Sequence, residues 1–207
     1  MTSLLCLPPR ITGQEAARHF ARPRLKNLYG LISRPVQIAE AGIPESRIPP
    51  FVECFWMPAY AICLHAVSSQ KEHSLWTSVD GCSGHFSIFE RIEQLATREL
   101  HEPAFPPSLV KEQATELARK GLLQFILRQR GQFNKPVVDR VEEIRLYYFP
   151  VWICYYRRRR RLDIKVLDAY TGKSAGARMR VAVLNALASA RKSRTIESAS
   201  PAGSDDS

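Results

Sequence analysis

Cysteine is scarce in this chain: five among 207 residues, an odd number with no Cys-x-x-Cys pair. That excludes a dense disulfide framework and points to a reducing compartment. Long hydrophobic runs are also missing. Leu146 to Tyr156 is too short for a membrane span, and Cys54 to Gln70 is broken by Pro58 and His65, whereas a spanning helix needs about 20 apolar residues. The first residues, Met1-Thr2-Ser3-Leu4-Leu5-Cys6-Leu7-Pro8, have neither the basic stretch nor the extended apolar core of a secretory leader. These absences predict a soluble, cytoplasmic protein. A phosphate-binding loop is excluded as well: Gly172-Lys173-Ser174 has its end, but Leu167 stands where the first glycine is required.

Acidic residues are short in one half only. Residues 1–106 carry ten Lys/Arg and ten Asp/Glu, residues 107–194 carry twenty and seven, and residues 195–207 carry three acids and no base. The formal charge of +10 therefore resides in the second half, and a basic surface of this kind favours acidic or polyanionic partners.

What is present is an internal repeat. Pro58-Ala59-Tyr60 leads through an apolar run to Asp80-Gly81-Cys82-Ser83-Gly84, and Pro150-Val151-Trp152 leads through another to Asp168-Ala169-Tyr170-Thr171-Gly172. In both, Asp can accept amides two residues on and the last Gly can take positive φ, the chemistry of a tight reversal between strands. Asp80 and Asp168 are accordingly read as turn residues rather than as an acid/base pair.

Thr12-Gly13-Gln14-Glu15 is a capping box, so a helix starts near Gly13, is interrupted at Arg22-Pro23 and resumes toward Ser33. Residues 34–50 form a proline-rich connection. Strands are expected at Val52 to His65, Ser74 to Val79 and His85 to Ile88, then a helix from Phe89 to Leu100. Pro103, Pro106 and Pro107 mark a linker. A helix from Ser108 to Arg130 follows, with Val110, Ala114, Leu117, Gly121 and Phe125 as its apolar face and Gly131 as its stop. Strands at Glu143 to Tyr156 and Leu162 to Leu167 come next. Alternation over Arg178 to Val183 permits a strand, and Leu184 onward favours a helix. The fold class is α+β: two pseudo-repeated units, each a helix packed on an antiparallel hairpin sheet, over residues 12–102 and 107–194, with 195–207 a disordered tail.

Leu162 to Lys173, with Val166-Leu167-Asp168-Ala169-Tyr170-Thr171-Gly172 at its end and Pro150-x-Trp152 before it, resembles the close of a PepSY-type domain. The resemblance covers about thirty residues in each copy and is poorer in the first, where Gly81-Cys82-Ser83 replaces the fuller motif. It implies a small fold with a helix on an antiparallel sheet, and a binding or inhibitory role rather than catalysis. Members usually occur outside the cytoplasm or beside membrane segments.

One feature is not duplicated. Arg157, Arg158, Arg159, Arg160 and Arg161 lie between the strands of the second hairpin, where the first has Ser68-Ser69-Gln70-Lys71-Glu72-His73. Arginine offers bidentate donors to phosphates and carboxylates. Tyr155 and Tyr156 adjoin the run as candidate stacking rings, and Lys165, Lys173, Arg178 and Arg180 extend the basic surface. The expected role is non-enzymatic: a binding or adaptor protein presenting this hairpin to an acidic protein or another polyanion, with nucleic acid as the alternative. No cofactor or metal is expected. Cys54, Cys63, His65, His73, Cys82 and His85 fall at opposite ends of the first hairpin, which leaves at most three convergent ligands. Cys82 with His85 is the one local thiol and base pair. Trp56, Tyr60, Tyr147, Tyr148 and Trp152 are read as core rather than as a ligand groove.

Overall fold

The computed structural model describes residues 3–21, 52–68, 71–128, 137–158 and 161–198, excepting the side chains of 68, 71, 157–158, 161–162 and 189–198. Among the described residues the fold is α+β, with three α-helices and a mixed sheet of seven strands. The order is β1 (Ser3–Cys6), α1 (Gly13–Ala21), β2 (Val52–Ser68), β3 (Lys71–Asp80), β4 (Phe86–Ile88) and β5 (Ala96–Glu99). Then come α2 (Lys111–Arg128), β6 (Val137–Arg158), β7 (Arg161–Asp168) and α3 (Ala177–Ser198).

The two long strands β2 and β6 pair antiparallel from Val52↔Cys154 to Val67↔Val137 and form the spine. Each turns back into a short partner, β3 on β2 and β7 on β6. The two hairpins thus share a single sheet. Both long strands carry a buried proline, Pro58 and Pro150, where a central strand normally excludes one because its amide is needed. Here the carbonyls of Pro58 and Pro150 face the turns, accepting from Gly81 N at 2.8 Å and Ala169 N at 3.1 Å. In an antiparallel strand a residue's N–H lies on the same side as its C=O, so the missing amides take nothing from the β2–β6 ladder.

The register shifts between Cys63 and Leu64 and between His65 and Ala66 leave Glu142 and Asp139 of β6 unpaired in the ladder. Those two carboxylates serve the polar residues opposite. Cys63 Sγ donates to Glu142 at 3.3 Å, and buried His65 lies 3.2 Å from Asp139 and 3.5 Å from Glu72.

Each helix reaches across both hairpins. The α1 residues Ala16 and Phe20 pack against Trp152, Cys154 and Leu167 of the second hairpin and against Val52 of the first, and Ala114, Ala118, Leu122 and Ile126 of α2 cover Tyr60, Ile62, Leu64 and Val79 of the first hairpin with Val138, Val141 and Ile144 of the second. The lead-in segments cross to the opposite hairpin. Arg10 N and Ile11 N donate to Ala169 O, and Ser108 N and Leu109 N donate to Gly81 O. Trp152 Nε1 donates to Ile11 O at 2.8 Å, and Tyr60 Oη donates to Leu109 O at the same distance. A helix packed on its own hairpin alone is thus not what is seen: α1 and α2 each straddle the shared sheet. Strand alternation divides the rest: Val151, Ile153 and Tyr155 point to the opposite face, where Ala182, Val183 and Ala186 of α3 cover them together with Phe55 and Met57.

Other expectations change in detail. The helix predicted over Phe89 to Leu100 is a 3-10 turn at Ile92–Gln94 followed by β5. Strand β5 pairs with β1, an N-terminal strand that the sequence reading omitted, and the ladder outweighs local helix propensity. The α2 face is rotated: Val110 and Phe125 are exposed, and the contact stripe is Ala114, Ala118, Leu122 and Ile126. Helix α3 begins at Ala177, so Arg178 to Val183 is not a strand, and it continues through Ser198, past the expected start of the tail. The resumed helix toward Ser33, the connection at 34–50 and the stop at Gly131 lie outside the described residues. The capping box is formed, Glu15 Oε2 accepting from Thr12 N at 2.8 Å and Thr12 Oγ1 at 2.9 Å.

Gly121 faces Phe86 of β4, and a Cβ there would stand closer than van der Waals contact allows to the ring's Cγ and Cδ2 and to the Phe86 Cβ. Helix propensity alone favours Gly121→Ala by about 1 kcal/mol. Overpacking costs about 1–3 kcal/mol, so G121A is expected to lower the urea midpoint, and a double-mutant cycle with F86A should show the two positions coupled. A stabilised G121A would contradict this packing.

Candidate functional site

The two Asp turns have one geometry. Asp80 Oδ1 accepts from Cys82 N at 2.9 Å and Ser83 N at 2.6 Å; Asp168 Oδ1 accepts from Tyr170 N at 2.8 Å and Thr171 N at 3.0 Å. Gly84 N and Gly172 N return to the carbonyls of Asp80 and Asp168, and both glycines have φ of +68°. Only glycine enters that region without a Cβ penalty. The turn chemistry read from the sequence is therefore present at both places.

Among the described residues, the basic positions singled out in the sequence are spread along the β6–β7 hairpin and the start of α3. Arg157↔Leu162 and Arg158↔Arg161 are paired positions at the tip of the β6–β7 hairpin, and Arg159 and Arg160 lie outside the described residues. Lys173 and Arg178 are exposed at the other end of β7, roughly 23 Å away at about 3.3 Å per residue. Between them, Arg180 is held by Asp163 at 2.6 Å, and Lys165 Nζ lies over the Tyr156 ring at 5.1 Å. Tyr155 and Tyr156 are both buried, Tyr155 within the α3-covered core and Tyr156 donating to Asp163 Oδ2 at 2.9 Å. Neither offers an open face to a base. Strand alternation and the apolar partners on β7 and α3 account for this, information that the flanking arginines concealed.

A second cationic locus was missed in the sequence. An open groove of about 1140 Å³ runs between α2, the N-terminal half of α3 and the Cys82–Ile88 segment. Lys120 and Arg128 of α2 and Arg178 of α3 line it, and no carboxylate does among the described residues. None of the three cations has an ion-pair partner among those residues. Two apolar side chains stand in the same walls, Phe125 at 42% exposure and Val181 at 55%. The signal in the sequence was Phe125 itself, assigned to the buried face of α2; the sheet instead takes the stripe containing Ala114 and Ala118, whose small side chains allow close approach.

The expected core aromatics are internal: Trp56, Tyr60, Tyr147 and Tyr148 are buried, and Trp152 is partly so. Every described thiol is pushed up by burial, Cys54 to about 12 and Cys63, Cys82 and Cys154 to about 11. At Cys82 the Asp80 carboxylate adds to the effect, while hydrogen bonds from Ser108 oppose it. A nucleophilic cysteine needs the reverse environment. Among the described residues no three His, Cys, Asp or Glu side chains converge as metal ligands.

No family model matches this chain, and no curated protein or solved structure matches it either.

With its thiol raised from 9.0 to about 11, Cys82 at pH 7.5 should be alkylated by iodoacetamide about a hundredfold more slowly than a free cysteine, because only thiolate reacts. The rate should climb about tenfold per pH unit up to that value, and all five cysteines should react quickly in denaturant. Fast, selective labelling of Cys82 in the folded chain would restore the thiol-enzyme reading.

Proposed function

We propose that this chain is a non-enzymatic binding or adaptor protein that holds an acidic protein segment. One observation carries the reading: the α2–α3 groove combines Lys120, Arg128 and Arg178, unopposed by any described carboxylate, with exposed Phe125 and Val181. Free cations beside exposed aromatic and aliphatic groups suit a partner that brings carboxylates and apolar side chains together. The Arg157 to Arg161 run adds positive charge that steers the same partner. The protein is read as cytoplasmic; no described helix is long and apolar enough to cross a membrane.

The raised thiols support a role without catalysis. So does the PepSY-like turn of the second hairpin, since that resemblance implies binding or inhibition. The architecture is read as two pseudo-repeated units whose lead-in segments cross to the opposite hairpin. The matched hydrogen bonds of the Asp80 and Asp168 turns, and of Leu109 and Ile11 to opposite hairpins, support that reading. Burial of Tyr155 and Tyr156 favours a protein partner over single-stranded nucleic acid, which uses open aromatic faces.

The test is recovery of partners on the immobilised full chain, with and without nuclease, for the wild type, K120E/R178E and a variant with Arg157 to Arg161 changed to glutamine. An acidic protein should be retained after nuclease and weakened at least roughly tenfold by K120E/R178E, as expected for lost charge-assisted contacts. The glutamine variant should mainly slow association and flatten its salt dependence. Recovery unchanged in both variants removes the proposal, and nuclease-sensitive recovery transfers it to nucleic acid.

A further inference from the structure

Helices α1 and α3 approach β7 from opposite faces of the sheet, and a cavity of about 170 Å³ is left along that strand. His19 of α1, Lys165 of β7, Ser174 of the following loop and Arg180 of α3 line it, with Tyr156 of β6. No carboxylate lines it among the described residues, and Phe20, Ile164, Val166 and Ala175 close the rest. The register puts Tyr156 opposite Asp163 and Cys154 opposite Lys165, so Tyr156, Asp163 and Lys165 share the face on which α1 packs. Lys165 Nζ lies 5.1 Å from the centre of the Tyr156 ring, and Tyr156 Oη donates to Asp163 Oδ2 at 2.9 Å. Arg180 comes from the α3 side to Asp163 Oδ1 at 2.6 Å. Ser174 bridges to Leu167, two residues beyond Lys165 on the same face, and its hydroxyl is 3.1 Å from His19 Nε2.

The charges around this cavity do not cancel. Asp163 accepts from Arg180, from Tyr156 Oη and from Ile164 N at 2.8 Å, so its carboxylate is already served; it fixes the Arg180 guanidinium and offsets its charge. Lys165 has no carboxylate partner among the described residues, and its ammonium is the uncompensated charge. The other groups are donors. A guanidinium carries five N–H groups, of which Asp163 occupies part, and a serine hydroxyl can accept from one neighbour while donating to another. Val166 O accepts from Ala175 N at 2.8 Å, which directs the Val166 N–H to the same outer edge of β7. The size is decisive for the class of ligand: pockets that enclose organic molecules begin at roughly 300 Å³, so this one suits an ion. Donors arriving from two helices, a strand and a loop fit an anion that accepts on several sides.

We propose that this cavity binds a phosphate group, free or at the end of a small monoester, with Lys165 supplying the opposing charge and Arg180, Ser174 and the Val166 amide supplying further donors. Hydrogen bonds from ammonium and guanidinium groups to phosphate oxygens are of the stronger, charge-assisted kind. The site shares no residue with the α2–α3 groove and does not depend on the acidic-partner reading.

The probes are inorganic phosphate and glycerol 3-phosphate, titrated into the full-length ¹⁵N-labelled chain at constant pH, with sodium chloride at matched ionic strength and glycerol as controls. Saturable shifts are expected at the backbone amides of Lys165, Val166 and Ser174 with at least one phosphate and with neither control. Tighter binding of the inorganic ion identifies free phosphate as the ligand, and tighter binding of glycerol 3-phosphate identifies a monoester. Lys165→Met keeps an unbranched side chain beside Tyr156 and removes the charge, and should weaken binding at least roughly tenfold, as for a lost charge-assisted contact. Ser174→Ala deletes an exposed hydroxyl and serves if the Lys165 variant does not fold. The proposal is overturned by shifts that do not saturate, by an equal response to chloride, or by unchanged affinity in the folded variant.

Discussion

The antiparallel ladder between β2 and β6 is the constraint on which everything else depends. It runs from Val52↔Cys154 to Val67↔Val137, and every other strand except β4 and β5 joins one of its two members directly. Pro58 and Pro150 mark where each spine strand passes from bonding a lead-in segment to bonding its own hairpin partner. Leu7 N donates to Tyr148 O and Phe105 N to Trp56 O, two residues before each proline. The ladder thus sets the position of both turns, and of the helices that begin beside them.

The crossed lead-in bonds follow from that arrangement. The residue after each turn Asp offers its carbonyl to the lead-in of the opposite helix, so each helix starts where the other half's strand ends. The two halves cannot be separated without opening both helix contacts and the ladder together. Two neighbouring cavities lie around the first turn. The Lys120, Arg128 and Arg178 groove and the Asp80 and Asp168 cavity share His85, Ser87 and Ile88 as a common wall.

Legibility in the sequence tracked how local the determining physics was. The Thr12 capping box and both Asp-to-Gly turns involve groups within five residues of each other, and each was readable. The long strands were readable from alternation and β-branched content, though their ends fell short by up to six residues because the β-bulges near Cys63 and His65 break the alternation. The helix expected at Phe89 to Leu100 was misread because Phe89, Ile92 and Leu95 have helical spacing, and the fact that decided otherwise, pairing of β5 with β1, lies some ninety residues away. On α2, apolar residues occupy more than one stripe. Only the sheet beneath, with Phe86 against Gly121, decides which stripe is buried. The groove stayed invisible for the same reason.

The sequence by itself determined the α+β class, the repeated turns and the basic second half, since composition, period and turn chemistry act within a few residues. Tertiary structure decided that α1 and α2 straddle the shared sheet and that Tyr155 and Tyr156 are internal. It also decided that Asp80 and Asp168, 88 positions apart in the sequence, line one cavity. Those outcomes depend on pairing between distant strands, and no local preference encodes the partner.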